Sequence, residues 1–173
     1  SFYVNELEPE AGKEYELDVF WNGLHARAKT FIPQKAEIDT VTERKDHSGG
    51  DQTNLYAEFR PQMNCVYQAG WRNGYHGNQG FITSGPYELA DTSGSGKLRM
   101  YFGHYYDYME EKQVRGFIAA YDKAFGDYYR TRPGDFDSGL IGFQGGSTIW
   151  NVEGDGIGIF IGVNVKDFEY VKE

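Results

Sequence analysis

Cysteine is almost missing from this 173-residue chain. Cys65 stands alone, which excludes an internal disulfide, and its place in the apolar run Cys65-Val66-Tyr67 reads as a small buried hydrophobe rather than a reactive thiol. Nowhere does the sequence hold the ~18 consecutive apolar residues of a membrane-spanning helix, and no basic-plus-apolar signal segment is seen. No Asn-x-Ser/Thr acceptor occurs, so N-glycosylation lends no support to export. The start at Ser1 instead of Met nevertheless reads as a trimmed or processed beginning, in keeping with a secreted or extracellular protein. There is no His/Cys cluster with zinc spacing, no phosphate-cradling glycine loop before a helix and no nucleophile elbow. Nucleotide cofactors are therefore not indicated.

Positive charge is also in deficit. Lys and Arg number 17 against 26 Asp and Glu, giving a net charge of −9, so the field of the whole molecule repels phosphate backbones and anionic surfaces. Nucleic acid is not an expected partner. An acidic polymer can be handled only where basic side chains converge on one groove.

What the chain does have is aromatics and glycine: 14 Tyr, 12 Phe, 3 Trp and 23 Gly. That mixture suits many short strands joined by glycine turns in a single domain over 1–173, an all-β fold of two packed antiparallel sheets. Tyr15, Leu17, Val19 and Trp21 alternate with Glu16, Asp18 and Phe20 as a half-buried strand ending at Asn22-Gly23. Leu24 to Phe31 fits strand or short helix. A strand over Ala36 to Val41 leads into a polar loop, and Asn54 to Arg60 follows with Leu55, Ala57 and Phe59 facing inward. Cys65 to Arg72 and Phe81 to Thr83 are further strands, with Gly85-Pro86 as a turn.

Gln113 to Phe125 carries a helical stripe, yet Gly116 argues for strand, with a turn at Tyr121 to Phe125. Tyr128 to Arg132 mixes aromatic and basic residues suited to sugars or carboxylates, or forms a plain surface strand. Ile157, Ile159, Ile161, Val163 and Val165 predict a long final strand with a buried isoleucine face.

The segment Gly96 to Tyr108 holds the candidate chemistry. Leu98, Met100 and Phe102 alternate with Lys97, Arg99 and Tyr101, so one face packs and the other presents two cations and a phenol. By the same alternation His104 falls on the packing face as a hydrogen-bonded core histidine. An ordinary solvent-facing strand would look similar.

Four motifs in order, G-K-L-R-M-Y, V-R-G-F-I-A-A-Y-D-K-A-F, G-L-I-G-F-Q-G-G-S-T-I-W and I-G-V-N-V-K-D-F-E-Y, resemble the C-terminal half of jelly-roll, concanavalin-like polysaccharide lyases of the alginate-lyase type. The resemblance covers about 75 residues, and the Phe-Gln-Gly-Gly loop with Trp150 is its most specific part. It implies β-elimination on a uronic-acid polysaccharide. Arg99 or Arg60 would neutralise the uronate carboxyl, Lys97 would assist, and Tyr101 would move the proton, with His104 or His76 as substitutes.

A binding module without chemistry is the rival. It would stack sugars on Tyr56, Tyr75 and Trp150, with Gln68, Arg72 and His76 bonding hydroxyls. A structural or coat protein is a third class. Asp135, Asp137, Glu153 and Asp155 offer oxygens for a structural Ca²⁺, but no complete loop motif is present, and no cofactor is expected.

Overall fold

The computed structural model describes residues 8–46, 51–71, 82–87, 96–106, 113–131 and 147–172, with no side-chain description for 82–87 and Arg130. Asn22 and Gly23, with φ of 48° and 82°, form the two-residue turn that Asn-Gly favours between antiparallel strands. It joins β1 (Glu14–Trp21) to β2 (Leu24–Phe31), in register from Trp21 opposite Leu24 to Glu14 opposite Phe31. This pairing settles Leu24–Phe31 as strand.

Eight further strands follow: β3 (Ile38–Lys45), β4 (Gln52–Phe59), β5 (Cys65–Trp71), β6 (Ile82–Tyr87), β7 (Leu98–Tyr106), β8 (Gln113–Asp122), β9 (Val152–Gly154) and β10 (Val163–Val171). They assemble as three antiparallel sheets, ordered β1-β2-β9, β10-β8-β5-β6 and β3-β4-β7. The protein is thus all-β, with three sheets among the described residues where the sequence suggested two. The third is the β1-β2-β9 ribbon.

One core lies between the other two sheets. Leu55, Ala57 and Phe59 of β4 and Met100, Phe102 and Tyr105 of β7 pack with Tyr67 and Ala69 of β5 and Val114, Ile118 and Ala120 of β8. The inward face of β4 is the one that alternation marks. The sheets are also tied by polar contacts: Tyr170 donates to Glu43, and Lys172 Nζ donates to the Tyr105 hydroxyl at 2.6 Å.

Several sequence expectations are corrected. β3 extends to Lys45, because its polar residues pair with β4 down to Lys45 opposite Thr53. Gly85-Pro86 lies within β6 instead of turning the chain; β6 is an edge strand with a register shift, which tolerates a proline that cannot donate. β8 is the strand that Gly116 suggested, since a Cβ there would meet Phe102 and Phe168 at 2.6 Å.

It does not end in a turn. Helix α1 (Lys123–Thr131) begins at once, its amide at Phe125 capped by Asp122 Oδ1 at 3.3 Å, so Tyr128 to Thr131 is helical. The isoleucine run is not a core strand either. Asn151 bonds both the N–H and the C=O of Phe160 (2.8 and 2.6 Å), holding 157–162 as an irregular segment with Ile157 81% exposed. The apolar run Phe2-Tyr3-Val4, which reads as a short first strand, lies outside the described residues.

Candidate functional site

The β4 and β7 registers differ by one residue across the middle of their pairing. Leu55 faces Gly103 and Tyr56 faces Tyr101, leaving Phe102 as the extra residue of a β-bulge. Phe102 stays in the core, and the alternation restarts in the opposite phase beyond it. Tyr105 becomes the inward residue, and His104 moves out to the face of Tyr101. This corrects the placement of His104 in the core.

The outer face of β3-β4-β7 is consequently rich in rings. Tyr101 Oη and His104 Nδ1 are hydrogen-bonded at 2.8 Å, and Tyr56 meets Tyr101 edge-on at 5.8 Å. Tyr106 meets His104 at 5.2 Å. Trp71 arrives from β5, its ring edge-on to His104 at 5.2 Å and to Tyr101 at 6.0 Å. Its access depends on Gly103, where a Cβ would lie 3.3 Å from Trp71 and 3.1 Å from Val114. All five rings are half-buried.

Both cations predicted for this face are on it, and both are engaged. Lys97 Nζ lies 3.0 Å from Asp39, and Arg99 lies 3.6 Å from Glu58, donates to Thr42 at 3.0 Å and stacks 4.6 Å above the Tyr56 ring. The Glu58 pairing follows from register, since Glu58 sits opposite Arg99. Burial, reinforced by Tyr56 and Tyr106, pushes the Tyr101 phenol up to about 12. Burial lowers the His104 pKa, favouring the neutral ring. The face therefore offers neutral hydrogen-bonding groups and aromatic surface more than net charge.

The remaining candidates separate. Arg60 lies past the end of β4 in a different groove, together with Asp39. Gln68 accepts from the Tyr121 hydroxyl at 2.8 Å, and Tyr121 stacks on Phe125 of α1 at 4.0 Å. Trp150 lies against Tyr128 of the same helix at 5.2 Å. Neither joins the Tyr101 cluster. Arg72, Tyr75 and His76 lie outside the described residues, as do Asp135 and Asp137.

Asp155 Oδ2 accepts the His25 N–H at 2.9 Å, serving the hairpin, and the described residues hold no group of three or more His, Cys, Asp or Glu able to bind a metal. No described helix is long and apolar enough to cross a membrane. Trp71 and Glu58 were missed by the sequence reading. Alternation puts Trp71 on one face with Tyr67 and Ala69, and only the sheet packing shows its ring reaching β7.

The geometry defines an all-β protein with a half-buried aromatic cluster on the outer face of β3-β4-β7. In comparison with known proteins, no family model matches the chain, and no curated protein and no solved structure is significantly similar to it.

Proposed function

We propose that this is a carbohydrate-binding protein with a jelly-roll-like β-sandwich, and that the outer face of β3-β4-β7 takes the sugar chain. The observation that carries this reading is the cluster of Trp71, Tyr101, His104 and Tyr56 rings, joined by the neutral Tyr101–His104 hydrogen bond. Aromatic faces cover the C–H side of sugar rings, and neutral hydroxyl and imidazole groups bond their hydroxyls without the desolvation cost of a charge. Such a role suits an extracellular setting. A glycan-binding screen of the intact protein tests it: Trp71→Ala and Tyr101→Ala should each abolish the signal while the fold is retained. Binding unaffected by both substitutions rejects this face.

β-Elimination on an acidic polysaccharide is the second reading, favoured by one contact. With Arg99 beside the Tyr101–His104 pair, the neutral imidazole could receive the Tyr101 proton as the phenolate removes the uronate C5 proton; the C4–O bond then breaks, the leaving oxygen is protonated and a C4–C5 double bond forms. Lys97 would assist electrostatically, whereas Arg60, in the other groove, takes no part. The engagement of Arg99 by Glu58 and of Lys97 by Asp39, and the raised Tyr101 phenol, place this reading second. Incubation with a polyuronate, followed by ultraviolet absorbance of the unsaturated product, decides it. A structural or coat role predicts neither binding nor turnover.

A further inference from the structure

Between the edge strands β3 and β10 runs an open groove of about 1040 Å³. Ala36, Ile38, Val41 and Phe168 contribute apolar walls, and Lys35, Arg60 and Lys166 bring cations. Two amide clamps gather those cations from distant parts of the chain. The Gln34 N–H donates to Gln62 Oε1 at 2.9 Å and Gln62 Nε2 donates to the Gln34 carbonyl at 2.8 Å, which holds the segments carrying Lys35 and Arg60 together. Asn164 Nδ2 donates to the Pro33 carbonyl at 3.0 Å, and Lys166 lies two residues along the same face of β10.

The charge balance of this groove differs from that of the aromatic face. Asp39 is already held by Lys97 at 3.0 Å and Glu169 by Arg115 at 3.5 Å. Lys35, Arg60 and Lys166 have no ion pair among the described residues, and of the three carboxylates that line the groove only Glu37 is likewise unpaired there. In a chain of net charge −9 the groove lining is thus balanced, three cations to three carboxylates, with its unpaired charge mainly positive. Asp39 also connects the two regions, because it lines the groove and binds Lys97, which precedes Arg99 on the aromatic face.

We propose that the groove holds the anionic substituents, carboxylate or sulfate, of an extended glycan whose sugar rings cross the aromatic face. This rests on the carbohydrate reading above and names the class of glycan. Amide donors beside exposed cations suit an anion that keeps part of its hydration, and the apolar walls suit the C–H side of a ring.

The test compares dextran, carboxymethyl-dextran and dextran sulfate, titrated calorimetrically into the whole protein at low and high ionic strength. The charged polymers should bind on the order of tenfold tighter than dextran at low salt, with the gain shrinking as salt rises. The triple variant Lys35→Ala/Arg60→Ala/Lys166→Ala should lose that gain and keep its dextran affinity, while Lys35→Arg/Lys166→Arg should keep both. Carboxymethyl against sulfate then identifies the preferred substituent.

A gain that survives the triple variant overturns the proposal. So does oligoglutamate binding as tightly as carboxymethyl-dextran, which would make the groove a site for acidic peptides. Failure of the aromatic-face reading looks different: Trp71→Ala then leaves dextran binding unchanged, whatever the three cations do.

Discussion

The Tyr101 hydroxyl and the His104 imidazole meet at 2.8 Å although they stand three residues apart on one strand, a spacing that regular pleating sends to opposite faces. The bulge at Phe102 removes the conflict by adding one residue opposite Leu55 and Tyr56. A change of register thereby lets one titratable side chain of the ring cluster hand a proton directly to another. Each consequence of this arrangement can be measured.

Tyr101→Phe keeps the ring and removes the hydroxyl bonded to His104. Unfolding in urea should show a loss of about 0.5–1.5 kcal/mol, the value of one hydrogen bond. Glycan binding through ring stacking should persist. If the parent protein cleaves a polyuronate, turnover should vanish in this variant, and full retained activity would remove Tyr101 from the proton path.

The titration of His104 has a defined sign. Burial lowers its pKa in the folded protein from the ordinary 6.5, so the unfolded chain takes up the proton first as the solution is acidified. Its contribution to stability is fully present above pH 6.5 and declines as the pH falls toward the folded-state pKa. The stability difference between the parent and His104→Gln should shrink across that window. An imidazole that titrates by NMR at or above 6.5 contradicts this burial.

Phe102 is fully buried against Phe168, with ring centroids 4.7 Å apart. Phe102→Ala should cost about 3–5 kcal/mol. Gly116→Ala presses on the same two rings and should cost about 1–3 kcal/mol by overpacking. Chemical denaturation measures both, and a loss under ~1 kcal/mol for Phe102→Ala would place that ring outside the core.

Asp122 joins three parts of the molecule. Its carboxylate caps α1 at Phe125 and accepts from the buried Thr30 hydroxyl of β2, and its backbone N–H donates to the Gly162 carbonyl at 3.1 Å. Burial raises its pKa, partly offset by the bonds to its carboxylate. Asp122→Ala removes the cap and strands the Thr30 hydroxyl, for an expected loss of about 2–4 kcal/mol. Asp122→Asn keeps a cap acceptor and should recover part of it. Equal stability of the alanine variant and the parent would mean that α1 and β2 are held by other contacts.

Trp21, at the hairpin tip, is 65% exposed, in contrast to the half-buried face that alternation in β1 implies. Trp21→Ser should therefore shift stability by less than about 0.5 kcal/mol. A larger loss would show the tip covered in solution.

Local pattern alone determined much of this protein. Asn22-Gly23 fixes a hairpin because both residues tolerate positive φ, and Leu55, Ala57 and Phe59 declare a buried face because a strand repeats every two residues. Lys97, Arg99, Tyr101 and Tyr56 share a face for the same reason, up to the point where the alternation breaks.

Tertiary structure decided the rest. The Phe102 bulge exists only in the pairing of β4 with β7, so no count along β7 could bring His104 out to Tyr101. Trp71 reaches them from another sheet through the space left by Gly103, and Asp122 becomes a helix cap only once α1 lies against β5 and β8. Ile157 to Ile161 carry a strand's alternation but no strand pairing, because Asn151 supplies the hydrogen bonds at Phe160 that a neighbouring strand would have made. Alternation records which side chains can share a face; which faces meet depends on hydrogen bonds between residues far apart in the chain.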